Sequence, residues 1–178
     1  MSDEASFDEF YLSTRSSVLG QLTAMTLDRE LAADTVQEAY ARAWQRWSRV
    51  SHLGDPTGWV RTVAWRLAVS QFRRRAVASR MLGRLGLDRP NDMASEEGLD
   101  VTAALRKLSE QHRRVLVLHE MVGMTIREIA AETGVAEGTV KSRLSRGREQ
   151  LGVALGPDYL DARASTAADV LVHEEETR

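Results

Sequence analysis

Apolar residues along the chain recur at helical spacing, and alternation of period two is not sustained anywhere, so the pattern predicts helices rather than strands. A first helix is expected from Phe7 to Met25, with Phe7, Phe10, Tyr11, Val18 and Leu22 turned to a core. One or two more fall between Asp28 and about Val50, where Val36, Tyr40, Ala43, Trp44 and Trp47 make one buried stripe. Pro56 opens the next helix, which runs to Arg75; at that position a missing N–H removes no bond. Val60, Val63, Ala64 and Leu67 line its inner face, and Trp59 lies off-centre and goes to the core. Between about Val77 and Gly98, residues Gly83, Gly86, Pro90, Asn91, Asp92 and Gly98 punctuate a segment without an apolar stripe, which reads as a linker, either wholly irregular or with a short helical piece at its start. Leu99 to Leu155 is again helical and stops at Gly156–Pro157. The fold class expected is therefore all-α. Two small helical domains, 1–76 and 99–155, are joined by a flexible linker, 77–98, and followed by an acidic mobile tail, 156–178.

Met124 to Leu151 carries the sharpest local signal, a helix-turn-helix. Thr125 with Glu128 three residues on is the pattern of a capping box, and Ile126, Ile129 and Ala130 follow at i, i+3, i+4 spacing. Gly134 sits where the first helix must stop, because glycine accepts the left-handed conformation. In the second helix, from about Glu137, Val140, Leu144, Gly147 and Leu151 recur along one side. Ser142, Ser145, Arg146 and Glu149 fall opposite, with Lys141, Arg143 and Arg148 on the flanks. Short polar side chains let a helix approach base edges while the flanking cations meet phosphates. The alternative is an ordinary amphipathic surface helix.

Charge sharpens this picture. The net charge of −2 conceals +7 over residues 56–90, flanked by −4 over 1–55 and −3 over 91–98; residues 99–155 carry +2 and 156–178 carry −4. A protein that coats nucleic acid indiscriminately is basic throughout, whereas this distribution suits local contact with DNA. Without cysteine there are no disulfides and no thiolate metal sites, and His52, His112, His119 and His173 lack ligand spacing. No cofactor, metal ion or catalytic residue is expected, and no GxxxxGK[ST] run is present. The acidic start and the lack of a long apolar run lead to an expected cytoplasmic location.

Two outer faces have chemistry of their own. On the Pro56–Arg75 helix, Thr62, Trp65, Arg66, Val69 and Arg73 project outward, and Arg73–Arg74–Arg75 close the segment. An outward tryptophan beside arginines suits unpaired bases, stacked on the ring with phosphates held by guanidinium groups; a neighbouring helix covering Trp65 is the other reading. Asp34, Glu38, Arg42, Gln45 and Arg49 share the polar side of their segment. They read either as a surface ion-pair ladder or as a docking face for a helical partner.

These segments together resemble a known family. Asp34–Val36–Gln37–Glu38 with Tyr40, Arg42, Ala43 and Trp44 is similar to the D-x-V-Q-E-x-F-x-R-A-W pattern of extracytoplasmic-function sigma factors, in the sigma-70 family. Pro56, Trp59, Ala64 and Arg73–Arg74–Arg75 match its −10 helix, and Gly138 to Arg146, GTVKSRLSR, matches its −35 recognition helix. The resemblance spans about residues 7–76 and 99–152. It implies a promoter-specificity subunit rather than an enzyme, with core RNA polymerase and promoter DNA as partners, and admits an anti-sigma factor. Polymerase would be met by Asp34, Gln37, Glu38, Arg42, Gln45 and Arg49. The −10 element would be met by Arg61, Thr62, Trp65, Arg66, Val69, Arg73 and Arg74, beside a base pocket in the Arg49–Gly58 loop. The −35 element would be met by Glu137, Gly138, Thr139, Lys141, Ser142, Arg143, Ser145, Arg146 and Arg148. Departures from the pattern are Trp65–Arg66 where Arg-Asn is usual, Ser70 for an acid, Ser109 for proline and Thr133 for leucine. The last module also resembles LuxR-type helix-turn-helix domains, which makes a stand-alone dimeric regulator the alternative. A helical adaptor using only the 34–49 face is a third class.

Overall fold

In the computed structural model, which describes residues 3–83 and 99–156, Asp28 shows how the first helices are joined. Helix α1, Asp3–Thr26, ends in a tight turn where Leu27 takes a left-handed conformation (φ 57°) and donates its N–H to Thr23 O at 2.8 Å. Asp28 then caps α2, Arg29–Trp44, its Oδ1 accepting from the Leu31 N–H at 2.8 Å. A short α3, Trp47–Val50, precedes α4, Pro56–Gly83. The chain divides into two compact units between Ala94 and Ser95. All described elements are helical.

The first unit packs α1, α2 and α4 around a core in which alanine is prominent. Val18, Leu22 and Met25 meet Leu31, Ala32, Val36, Ala39, Tyr40 and Ala43 of α2 and Val60, Ala64 and Ala68 of α4. The small side chains allow close helix approach and leave room for a few large rings. Phe7 and Phe10 close one end against Trp47, with centroids 5.2 and 4.9 Å away. Tyr40 is pushed above the usual phenol range by burial, opposed by its hydrogen bond with Thr14 at 2.7 Å. Since the Thr14 hydroxyl donates to Phe10 O, the protonated Tyr40 hydroxyl donates to Thr14.

Three expectations are corrected here. Trp44, expected in the buried stripe, is 45% exposed. The stripe steps from Tyr40 through Ala43 to Trp47, so Trp44 stands about 100° away, leaning on Phe7 at 5.0 Å between centroids. On α4 the buried ridge is Val60, Arg61, Ala64, Trp65 and Ala68, rotated from the expected one, while Val63, Leu67 and Trp59 are only half-buried. Finally the helix end expected at Arg75 moves to Gly83: the helical piece open at the start of the linker is continuous with α4, because Ala76 to Leu82 contains neither glycine nor proline and is rich in good helix formers. The remainder of the expected linker and nearly all of the expected tail lie outside the described residues.

The second unit contains α5, Leu99–Arg106; α6, Glu110–Leu116; a π-helical turn, Val117–Met121; α7, Ile126–Thr133; and α8, Glu137–Leu155. Helices of seven or eight residues do not stand alone in water. They hold by packing Ala104, Leu108, Val115, Leu116, Leu118 and Ile129 around Val140 and Leu144 of α8. Arg113 caps α5, donating to the carbonyls of Leu105 and Leu108 at 3.2 and 3.3 Å, and burial lowers its pKa despite Glu110. The Thr125 capping box is present as expected: Oγ1 accepts from the Glu128 N–H at 3.3 Å, and Glu128 Oε2 accepts from the Thr125 N–H at 2.7 Å. Gly134 ends α7 at φ 72°, its N–H donating to Ala130 O.

Gly147 is where α6 and α8 touch. A Cβ there would meet Leu116 Cδ1 at 2.8 Å and His112 O at 3.4 Å. We expect Gly147→Ala to destabilise this unit by about 1–3 kcal/mol through overpacking. The far-UV dichroism transition in urea would move to lower denaturant. Tryptophan fluorescence is the internal reference, since Trp44, Trp47, Trp59 and Trp65 all lie in the first unit. An unmoved dichroism transition would show that the contact is slack.

The capping box also sets a pH dependence. Hydrogen bonds from the backbone and hydroxyl of Thr125 hold Glu128 below the ordinary carboxylate range. With the folded pKa depressed, the contribution to stability is present above the unfolded value and lost as pH falls through the folded one. Glu128→Gln keeps an acceptor for the box but removes the titration. The variant should therefore lose less thermal stability than the wild type between pH 5 and 3; parallel melting profiles would contradict the assignment.

Candidate nucleic-acid and protein interfaces

Helix α8 owes its outward face to what it buries. Val140, Leu144 and Gly147 are locked against the rest of the unit. Helical rotation therefore leaves Glu137, Gly138, Thr139, Lys141, Ser142, Ser145, Arg146 and Glu149 exposed, with Arg143 half-buried. These expected −35 residues come together on one surface. Arg148 does not join them. Its Nε and one terminal nitrogen donate to Glu120 Oε1 at 2.9 and 2.7 Å, and that nitrogen also lies 3.3 Å from His119 Nδ1. It ties α8 to the π-helical turn, a partnership across 28 positions that no local spacing signals.

On α4 the structure separates the expected −10 residues. Arg66, Arg73 and Arg74 are exposed and Thr62 and Val69 half-buried. Trp65 is 6% exposed and Arg61 only 2%, so neither stands on the outer face of α4. Both sit on the buried ridge with Val60, Ala64 and Ala68. Arg61 instead faces back to the loop before α4, one terminal nitrogen 3.8 Å from Asp55 Oδ2. Asp55 also caps α4, Oδ1 accepting from the Gly58 N–H at 2.7 Å. A side chain at Gly58 would overlap that carboxylate. The aromatic at the surface beside this loop is Trp59, half-buried one turn before Val63 and two turns before Arg66. Sequence reasoning had placed it inside; its one-residue offset from Val60 was the signal that could have found it.

Among the closing arginines, Arg75 is drawn inward to Asp28, Nη1 donating to Oδ2 at 2.9 Å, and Arg74 donates to Ser70 at 3.1 Å. Asp28 thus caps α2 with one oxygen and anchors α4 with the other.

The α2–α3 face holds together as expected. Asp34, Gln37, Glu38, Arg42 and Gln45 are exposed along α2, and Arg49 is exposed on α3. Arg42 Nε donates to Glu38 Oε1 at 2.9 Å, an exposed i, i+4 pair worth only tenths of a kcal/mol. Trp44 adds a large apolar element to this mixed-charge face. Among the described residues there is no group of three potential metal ligands, and no helix is long and apolar enough to cross a membrane.

Comparison with known proteins follows the same division. Residues 10–78 match the family described as sigma-70 region 2, and residues 98–151 match sigma-70, region 4. The chain is 30% identical over 152 residues to the ECF RNA polymerase sigma factor SigK of Mycobacterium tuberculosis, covering 80% of this chain and 81% of the relative. It is 33% identical over 127 residues to SigL of the same organism, covering 67% and 72%. Among solved structures, the sigma factor RpoE of Bartonella quintana, determined with the anti-sigma factor NepR, superposes with a TM-score of 0.71 at 25% identity. That match covers 84% of this chain and 96% of the other. With both regions present in order, the chain belongs to the sigma-70 family, in its extracytoplasmic-function group of RNA polymerase sigma factors.

Proposed function

We propose that the protein is the dissociable specificity subunit of RNA polymerase, directing promoter-specific initiation. The observation that carries this is the α8 surface: Ser142, Ser145 and Arg146 stand outward on a helix whose other ridge is locked by Val140, Leu144 and Gly147. A helix so held enters the major groove of the −35 duplex. Arg146 offers a bidentate contact to guanine O6 and N7, and Lys141 and Arg143 lie to the sides for phosphates. The exposed α2–α3 face, including Trp44, is the polymerase-docking surface. There mixed charge sets register and the tryptophan supplies buried area.

The −10 element is met by the outer side of α4. Trp59 replaces Trp65 as the stacking surface, beside Thr62 and Arg66, with Arg73 and Arg74 along the phosphate path. Arg61 and Asp55 position the adjoining loop from within. Taking a base out of the stack costs a few kcal/mol, and aromatic stacking returns about 1–3 kcal/mol per base. Melting thus needs binding energy from both strand contacts and polymerase, and no nucleotide hydrolysis by this chain.

With purified core polymerase the protein should support run-off transcription from a promoter carrying both elements. Replacing Arg146 by Ala should weaken −35-dependent initiation by about 1–3 kcal/mol and relax base preference at one position. Unchanged preference across −35 variants would remove Arg146 from base recognition, and failure to associate with core polymerase would overturn the proposal.

Trp59→Ala should spare closed-complex binding while reducing permanganate reactivity of −10 thymines. Trp65→Ala should instead destabilise the first unit by about 3–5 kcal/mol, as expected for a buried ring. Equal losses of closed and open complexes in a folded Trp59→Ala protein would contradict the stacking role.

A further inference from the structure

A groove of about 540 Å³ runs between the end of α5 and the outer side of α8, lined by Lys107, Arg146, Glu149, Gln150, Val153 and Ala154. Its chemistry is mixed. Val153 is 78% exposed, the highest value among the large hydrophobic residues described. Lys107 and Arg146 add two positive charges against the one negative charge of Glu149, and Arg106 adjoins Lys107 in the chain. The best occupant is therefore a segment that is acidic and apolar at once.

We propose that this groove seats the chain's own C-terminal segment, residues 157–178, and that the seated segment competes with the −35 duplex for Arg146. The segment carries six acids against two arginines, and it holds Val170–Leu171–Val172 just before Glu174–Glu175–Glu176. An apolar tripeptide followed by three carboxylates complements Val153 with Lys107 and Arg146. Location favours the same occupant. Val153 and Ala154 lie in the last turn of α8, and Gly156, at φ 90°, turns the chain off the helix axis beside them. Arg146 is about 14 Å back along the helix from Leu155, and the residues between Pro157 and Glu174 span well over 40 Å when extended. Tethering gives such a segment an effective concentration of roughly millimolar, so a weak contact is enough to be populated. The competition rests on the role given to Arg146 above; the seating does not.

The test uses the full-length protein in four forms: wild type, E174Q/E175Q/E176Q, K107E, and K107E combined with E174K/E175K/E176K. Amide resonances of Lys107, Val153 and Ala154 report the groove, and fluorescence anisotropy with a −35 duplex reports competition. Neutralising the three glutamates should shift those resonances and raise duplex affinity roughly three- to tenfold, as expected for an intramolecular competitor of this kind. K107E alone should shift the other groove resonances in the same sense. The charge-swapped form should return them towards the wild type; its duplex affinity is not a readout, since its three added cations bind phosphate directly. Identical groove resonances in wild type and E174Q/E175Q/E176Q overturn the proposal, as do equal affinities. Should no form bind the duplex, the role of α8 in −35 recognition fails, and the resonances alone decide the seating.

Discussion

The close approach of Gly147 to Leu116 fixes the rotation of α8 about its own axis, and rotation is what turns a helix into a binding surface. Leu116 Cδ1 lies 2.8 Å and His112 O 3.4 Å from where a Cβ on residue 147 would stand, so α6 and α8 pack tightly on that ridge. Val140 and Leu144 then point inward on the same ridge, and helical geometry leaves Ser142, Ser145 and Arg146 to solvent. A turn of one residue, about 100°, would bury one of these and expose an apolar neighbour. The same constraint acts in the first unit. There Ala64 and Ala68 let α4 settle with Trp65 inside, which brings Trp59 rather than Trp65 to the surface. Which side chains face outward in both units follows from where small residues permit close packing.

Counting cations along the chain overstates how many face outward. Arg61 is buried beside Asp55, Arg75 pairs with Asp28, Arg114 with Glu132 and Arg148 with Glu120. The Arg61 pairing ties α4 to its own capping loop, and the other three join elements whose partners are far apart in sequence. The exposed pairs contribute little free energy in water, but they set geometry: Asp28 holds both the start of α2 and the far part of α4. The strongly basic stretch from residue 56 to 90 is therefore partly structural.

Much of this was legible beforehand, and what was not has a common cause. Helical periodicity located the helices of both units, and the Thr125–Glu128 box and Gly134 marked the helix-turn-helix because caps are local chemistry. The α8 surface followed from four apolar positions on one side. Trp65, Arg61, Trp44 and Arg148 were misplaced because their positions depend on long-range packing. For the first two, the apolar Val63 and Leu67 drew the inferred ridge away from the real one, when a large ring next to alanines was the better candidate for the core. Trp44 stands where α2 ends and the stripe passes to α3. For Arg148, the acid it binds lies on an element not adjacent in sequence.

The division of exposed charge argues that neither unit holds a promoter by itself. The outward cations of α8 and its flanks are few, chiefly Lys141, Arg143 and Arg146, and those of α4 are Arg66, Arg73 and Arg74. Each neutralised phosphate on duplex DNA contributes a salt dependence of about 0.9, and on a single strand about 0.7. Three contacts per unit leave affinity modest at physiological salt. Acidic residues elsewhere bring the whole chain to −2, so long-range attraction does not make up the difference. Selectivity benefits from that weakness. Under the proposed function, occupancy would require both elements to be met in one complex, where the second contact is made at high effective concentration, with polymerase docked on the α2–α3 face holding the two contacts together.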